Sequence, residues 1–275
     1  VYGLVADPVG HNLSPIVQNA AFRTLDMNCV FVPFRVPREY LSSFLHDCLR
    51  LDIKGLSVTV PHKESVVHSL AKMDRAADGI GQVNTIVFQE DEQALGYNTD
   101  HRAALSGLAK ASGVKAEKPL EGKRALVLGA GGIARAIVYG LRQGDVEVVI
   151  ASRTLQRAVD LAEQMECKAV DWDQRYEVKT DMLINCTPVG MHPQVDETPF
   201  EGSQLRRNWL VFDVIYNPEQ TLLVKEARQK GCRVLTGVDL FVRRAALQFM
   251  LFTDQNAPLE IMRSSLKRAT GAAKA

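Results

Sequence analysis

The chain has 275 residues, 46% hydrophobic and 24% charged, with a formal net charge of +1. This is enough apolar material for sizeable cores and enough length for two domains. The balanced charge excludes a partner recognised as a polyanion, such as nucleic acid. Five cysteines (Cys29, Cys48, Cys167, Cys186, Cys232) form no C-x-x-C pair, so neither a disulfide framework nor a zinc site is expected, and a reducing, cytoplasmic setting is. No apolar run approaches transmembrane length, so no membrane partner is expected. The strand-like start at Tyr2 reads as that of a piece excised from a longer or fused polypeptide, from which a targeting segment, a plastid one included, can have been lost.

The first hundred residues alternate strand and helix signals. Tyr2–Ala6 reads as a strand, followed by a turn-rich loop, 7–13. Ser14-Pro15 opens a helix with the serine as N-cap, and Ile16, Val17, Ala20, Ala21 and Leu25 form its buried face. Strand 29–36, helix 40–51 and strand 55–60 follow. Pro61 closes the last of these, and a further helix runs through Leu70. Strands 83–88 and 94–97 pair antiparallel around the polar turn Gln89–Gln93. A helix covers 100 to about 111, and the polar connection Ser112–Lys123, with Gly113, Pro119 and Gly122, marks a domain boundary. Beyond it, strands near 125–128, 146–151, 168–171, 182–185, 210–214 and 232–235 alternate mainly with helices, as in a parallel sheet covered on both faces. The stretch 172–181 carries no convincing crossover helix. Helices 238–253 and 258–269 close the chain, and the last residues read as frayed.

The strand ending at Leu128 runs into Gly129-Ala130-Gly131-Gly132-Ile133-Ala134, with small residues spaced Gly-x-Gly-x-x-Ala. A glycine cluster alone marks only a turn. Between a strand and a helix, this spacing lets backbone approach a pyrophosphate at the helix N-terminus. An NAD site places a carboxylate at the tip of the next strand. Here that tip reads Ser152-Arg153-Thr154, with Arg157 one turn on. Cations are unfavourable at a helix start unless an anion compensates, so the pattern favours the 2′-phosphate of NADP. Lys63 stands just past a strand end, and Thr59, Asn84, Asn98, Thr99 and Asp100 are polar groups beside apolar strands. Singly these are ordinary surface or turn residues. Together they form a polar pocket in which Lys63 and Asp100 exchange a proton with a substrate hydroxyl while hydride leaves the same carbon. The polar ends of 181–191 and 211–218 suit walls for a nicotinamide. The histidines lack metal-ligand spacing, His62 reads as a loop residue, and Cys186 reads as an inert core thiol.

Together the motifs resemble shikimate dehydrogenase over nearly the whole chain. They are Gly10-His11-x-x-Ser14-Pro15, Val58-Thr59-Val60-Pro61-His62-Lys63-Glu64, Ile80-Gly81-x-Val83-Asn84-Thr85 and Gly96-Tyr97-Asn98-Thr99-Asp100, then Gly129-Ala130-Gly131-Gly132, Ser152-Arg153-Thr154, Asn185-x-Thr187-Pro188-Val189-Gly190-Met191 and Tyr216-Asn217-Pro218. The segments Gly190–Phe200 and 237–241 look nearest to the dehydrogenase half of fused dehydroquinate dehydratase–shikimate dehydrogenases. The resemblance implies two α/β domains. They are a substrate-binding, catalytic domain (1–101) and an NADP-binding Rossmann domain (102–237), with C-terminal helices (238–275) returning to the first. It implies NADP-dependent reduction of 3-dehydroshikimate to shikimate in aromatic amino-acid (chorismate) biosynthesis. Lys63 is then the acid/base and Asp100 its partner, with Asn12, Ser14, Thr59, Asn84, Thr99, Tyr216 and Arg244 around the substrate. Gly129, Ala130, Gly131, Gly132, Ile133, Ser152, Arg153, Thr154 and Arg157 hold the cofactor's phosphates, and Thr187, Val214 and Gly237 lie beside its nicotinamide. Asn12 stands where the family usually has serine, Arg244 where it has glutamine, and Leu240 where it has methionine. These departures open quinate or another cyclic hydroxy acid as alternative substrates. A catalytically silent NADP-binding regulatory protein is the rival from another class. Nothing in the sequence indicates an oligomeric state.

Overall fold

Two stretches of alternating apolar runs become two sheets, each with its own helices. The computed structural model describes residues 1–10, 12–89 and 93–272. Two units divide the chain: Val1–Thr99 with Val242–Ala275, and Asp100–Phe241. In chain order the strands and helices of the first part are β1 (Tyr2–Ala6), α1 (Ser14–Thr24), β2 (Phe31–Arg35), α2 (Leu41–Arg50), β3 (Gly55–Val58), β4 (Lys72–Met73), α3 (Arg75–Ile80), β5 (Thr85–Phe88) and β6 (Ala94–Tyr97). Then come α4 (Asp100–Ser112), β7 (Arg124–Leu128), α5 (Gly132–Gln143), β8 (Glu147–Ser152), α6 (Leu155–Gln164), β9 (Lys168–Asp171), β10 (Met182–Asn185), β11 (Leu210–Asp213), α7 (Leu222–Gln229), β12 (Arg233–Leu235), α8 (Gly237–Thr253) and α9 (Leu259–Ala272).

The first unit's sheet has the order β2-β1-β3-β5-β6-β4. β2, β1 and β3 run parallel, and β5 and β6 join them as an antiparallel hairpin. All five residues of β1 are buried, as expected of a strand covered on both faces. On one side Tyr2 donates its hydroxyl to the Phe252 carbonyl (2.7 Å) and packs against Phe22, while Leu41, Leu45 and Cys48 of α2 belong to another cluster with Leu56 and Ile86. A Cβ on Gly55 would lie 2.6 Å from the Phe252 ring, so this glycine lets the end of α8 lie against the sheet.

Several local expectations are corrected. Ser14 is the first residue of α1 and not its cap. Leu13 holds the cap position without a side-chain bond, and the Asn12 Oδ1 accepts the Ser14 N–H (2.9 Å). Ile16 and Leu25 are exposed, and Phe22 takes the buried place with Val17, Ala20 and Ala21. After Pro61 only a 3₁₀ turn forms, at Ser65–Ser69, and β4 and α3 follow it. Asp74 caps α3 by accepting the Ala77 N–H (2.7 Å), a Ser/Asp-type signal that the apolar pattern hides in so short a helix. The strand from Gly55 ends at Val58, two residues before Val60. His11, residues 90–92 of the expected polar turn and the chain's last three residues lie outside the described residues.

The second unit's sheet is parallel throughout, in the order β12-β11-β10-β7-β8-β9. Connections from β7 and from β10 lead to opposite sides, so the topological switch lies between these two strands, where such sheets bind dinucleotides. The crossover after β9 is a single 3₁₀ turn, Asp173–Tyr176. In place of a packed helix, the Arg175 guanidinium lies 4.3 Å from the Trp172 ring and 4.1 Å from the Tyr176 ring, and donates to the Pro199 carbonyl. The cores of both units are built from the apolar runs that the sequence shows. Among the described residues no helix is long and apolar enough to cross a membrane.

Candidate active site

In the first unit, the carboxyl ends of β1 and β3 and the amino end of β5 share one edge, because β5 runs opposite to its neighbours. The loops leaving that edge carry Asn12, Ser14, Thr59, Lys63 and Asn84. With Arg244 and Gln248 from α8 they line one cavity. Thr99 is not in its wall. Instead its N–H and hydroxyl both donate to the Asn84 Oδ1 (2.9 and 3.2 Å), and the Thr85 hydroxyl adds a third bond (2.8 Å). The Asn84 Oδ1 is thereby saturated, while its Nδ2, on a residue only 1% exposed, has no hydrogen-bond partner. A buried amide donor left unmade is costly, and the residue that carries it lines the cavity.

Gln248 was not anticipated. It sits one helical turn beyond Arg244, on the same face of α8. Its Oε1 accepts from the Ser57 hydroxyl (3.0 Å), and its Nε2 donates to the Asn84 carbonyl and the Thr85 Oγ1 (3.0 Å each). That places a fully bonded amide under the cavity floor. The i, i+4 spacing from Arg244 was the available signal, but glutamine on a helix usually signals only a solvated face. His62, beside Lys63, is wholly buried, and its Nε2 donates to the Val36 carbonyl (2.8 Å). Burial lowers its pKa, so the ring stays neutral and serves as a latch under the Lys63 loop.

In the second unit, β7 turns into α5 through Gly129, whose φ of +100° is unfavourable for residues with a Cβ. A Cβ there would also meet the Thr187 Cγ2 at 3.1 Å and the Cys186 carbonyl at 3.2 Å. Around Gly131, the N-cap of α5, nothing lies within 4 Å of a built Cβ, which leaves room for a group to reach the first-turn N–H donors. Ala130, Gly132 and Ile133 complete this turn, and Ala134 is wholly buried, so α5 packs closely on the sheet. At the tip of β8, Ser152 accepts the Thr154 N–H (3.4 Å), and neither the tip nor the first turn of α6 holds a carboxylate. Arg153 and Arg157 are exposed there and, among the described residues, join no ion pair. Two unneutralised cations at a helix start fit a phosphate monoester.

The same sheet edge carries a buried polar hub. Asp213, wholly buried, accepts from the Asn185 Nδ2 (3.1 Å), the Ile215 N–H (3.1 Å) and the Thr221 hydroxyl (2.7 Å). Asn185 in turn accepts from the Thr187 N–H and hydroxyl (2.9 and 2.7 Å), and Thr221 caps α7. This one carboxylate ties the 185–189 loop, the 213–216 loop and a helix start together, fixing Thr187 and Val214. Burial pushes the Asp213 carboxyl up to about 6 against the pull of its three donors. Gly237, first in α8, abuts this loop: a Cβ would lie 2.3 Å from the Ile215 backbone. The Tyr216 ring meets Phe241 edge-on at 5.1 Å. Cys186 is buried and its thiol pKa is raised by desolvation, which leaves it an inert core group. Asp100, wholly buried, is the first residue of α4 and directly follows Thr99. Among the described residues no cluster of His, Cys, Asp and Glu could hold a metal.

The family model for the shikimate dehydrogenase substrate binding domain matches residues 4–86, and that for shikimate / quinate 5-dehydrogenase matches residues 112–218. The chain is 39% identical over 278 residues to shikimate dehydrogenase (NADP(+)) of Methanopyrus kandleri, covering 97% of this chain and 94% of that protein. It is 40% identical over 273 residues to the chloroplastic bifunctional 3-dehydroquinate dehydratase/shikimate dehydrogenase of Arabidopsis thaliana, covering 95% of this chain but spanning 45% of that protein. The Thermus thermophilus shikimate 5-dehydrogenase solved with NADP(H) and shikimate superposes with a TM-score of 0.87 at 32% identity, over 98% of each chain.

Proposed function

Because the chain belongs to the shikimate dehydrogenase family, we propose that it catalyses the NADP-dependent, reversible reduction of 3-dehydroshikimate to shikimate, a step toward chorismate and the aromatic amino acids. The observation that carries this reading is the convergence of Asn12, Ser14, Thr59, Lys63, Asn84 and Arg244 on one cavity with an unmet amide donor. NADPH, when bound, supplies the hydride that adds to the substrate's carbonyl carbon. Lys63 delivers the proton to the carbonyl oxygen as its π electrons become the alkoxide pair. In the reverse direction Lys63 removes that proton, with Asp100 as its partner. Asn84 donates Nδ2 to a ring oxygen, Thr99 holds Asn84 in place, and Asn12, Ser14 and Tyr216 serve the substrate carboxylate.

Residues 1–101 with 238–275 form the substrate side, and 102–237 the NADP side. The Gly129–Ile133 turn takes the pyrophosphate. Ser152, Arg153, Thr154 and Arg157 take the 2′-phosphate end, and Thr187, Val214 and Gly237 line the nicotinamide. The substrate is a small molecule. The chain acts in a reducing compartment such as the cytoplasm, a setting supported by its five free cysteines. The test is NADPH oxidation with 3-dehydroshikimate. Lys63→Ala is expected to abolish turnover while retaining NADPH binding. Unchanged turnover removes Lys63 from the chemistry, and tight NADPH binding by the native chain without turnover removes the enzymatic reading.

A further inference from the structure

A second cavity, of about 340 Å³, lies at the amino edge of the second unit's sheet, opposite the edge that carries Gly129. That volume falls within the range of small-ligand sites. All of its lining residues belong to the second unit. Lys123, Asp181 and Trp209 stand directly before β7, β10 and β11, and Arg233 opens β12. The apolar part of the wall is Leu120, Met182, Trp209 and Leu210, all buried. Three cations border it, Lys123, Arg207 and Arg233, with one carboxylate, Asp181. That carboxylate is already spent. Arg124 donates Nε to its Oδ2 (3.1 Å) and Nη2 to its Oδ1 (3.0 Å), and the Arg124 N–H adds a bond to Oδ2 (3.0 Å). These bonds, with a smaller pull from Lys123, hold the Asp181 carboxyl below the usual carboxylate range, so it stays ionised and paired. Arg233 donates to the Ser112 carbonyl. Among the described residues neither Lys123 nor Arg207 joins an ion pair. With Asp181 set against Arg124, the rim keeps the positive charge of the other three.

The two parts of this lining call for two parts of a ligand. An indole and three aliphatic side chains around a cavity gain from being covered by an apolar ring. Cations on the rim gain from an anion, and a carboxylate accepts paired N–H bonds from a guanidinium. An inorganic anion leaves the apolar wall wet, and an uncharged ring leaves the cations unmatched. We propose that this cavity is a second binding site, for a small aromatic carboxylate whose ring lies against Trp209 and whose carboxylate meets Arg207 and Lys123. Parallel sheets of this kind hold dinucleotides at the carboxyl ends of their strands, so the site is separate from that of the cofactor. It is separate also from the cavity at Lys63, which belongs to the first unit.

The test uses the full chain carrying Trp172→Phe, which leaves Trp209 as the sole tryptophan, and follows its emission during titration with benzoate. NADP⁺ and shikimate are present at saturation, so that neither of their sites is open to the probe. A saturable change is expected with a Kd of about 1 mM, the range that so small a ligand reaches. Benzyl alcohol, with the ring and no charge, and inorganic phosphate, with the charge and no ring, are each expected to bind about tenfold more weakly or worse. Arg207→Gln, at an exposed position, is expected to weaken benzoate about tenfold, the scale of one charge-assisted bond. Isothermal titration calorimetry of the native chain reads the same binding if the variants are not recovered. No saturable binding, binding seen only without NADP⁺ and shikimate, equal affinity for phosphate or benzyl alcohol, or an unaltered Kd in Arg207→Gln overturns the proposal.

Discussion

Replacing Asp213 by asparagine keeps the side chain's shape and removes its ionisation. The amide Oδ1 still accepts from Asn185 and Ile215. Its Nδ2 faces the Thr221 hydroxyl, which must turn its proton elsewhere while still accepting the Val224 N–H (3.2 Å). That exchange costs on the order of 1 kcal/mol at any pH. The informative quantity is the pH dependence. Unfolded, the carboxyl titrates at its ordinary 3.8, and folded it is held up to about 6. The folded state therefore keeps a proton that the unfolded chain has lost. Stability from this group is fully present below the unfolded value and is lost as pH rises through the folded one, by about 3 kcal/mol in all. Between about pH 4.5 and pH 7.5 the loss amounts to roughly 2 kcal/mol. Both tryptophans, Trp172 and Trp209, lie in the second unit, so their fluorescence during urea unfolding reports the unit that contains Asp213. The native protein is expected to lose roughly 2 kcal/mol relative to Asp213→Asn over that interval. An equal difference at both pH values would refute the assignment of a buried, ionising hub.

Gly237→Ala sets a Cβ 2.3 Å from the Ile215 backbone, which has no flexible end to yield. A loss of about 3 kcal/mol or more is expected in denaturant unfolding, and a loss under about 1 kcal/mol would show that α8 can shift. Gln248→Leu strands Ser57, Thr85 and the Asn84 carbonyl. It should cost about 3 kcal/mol and raise the KM for 3-dehydroshikimate, and an unchanged KM would separate the floor of the cavity from its function. Arg153→Ala is expected to raise the KM for NADPH about tenfold with little change in kcat or in any reaction with NADH. Equal effects on the two cofactors would remove the 2′-phosphate contact.

Local pattern was sufficient for the alternation of strands and helices, the glycine turn before α5 and the missing acid at the tip of β8. Each depends on neighbours a few residues apart, where apolar period, small residues and helix-end charge act directly. Even there short elements escaped. Ser14 read as a cap, while the backbone chose Asn12 to satisfy its N–H, and the 61–70 stretch settled for one 3₁₀ turn. The cavity's composition depended on tertiary structure. Ser57 and Gln248 are 191 residues apart, and their bond exists only because the end of α8 packs on the first sheet. Asp213 reads as the polar end of a strand until Asn185, 28 residues earlier, and Thr221, 8 later, converge on it. Gly237 is one glycine among 19 until the Ile215 backbone comes to lie against it. Sequence determined which residues carry the chemistry of donors, cations and small turns. Packing decided which of those donors are already spent and which still face a ligand, because a hydrogen bond between distant residues leaves no periodic trace in the chain.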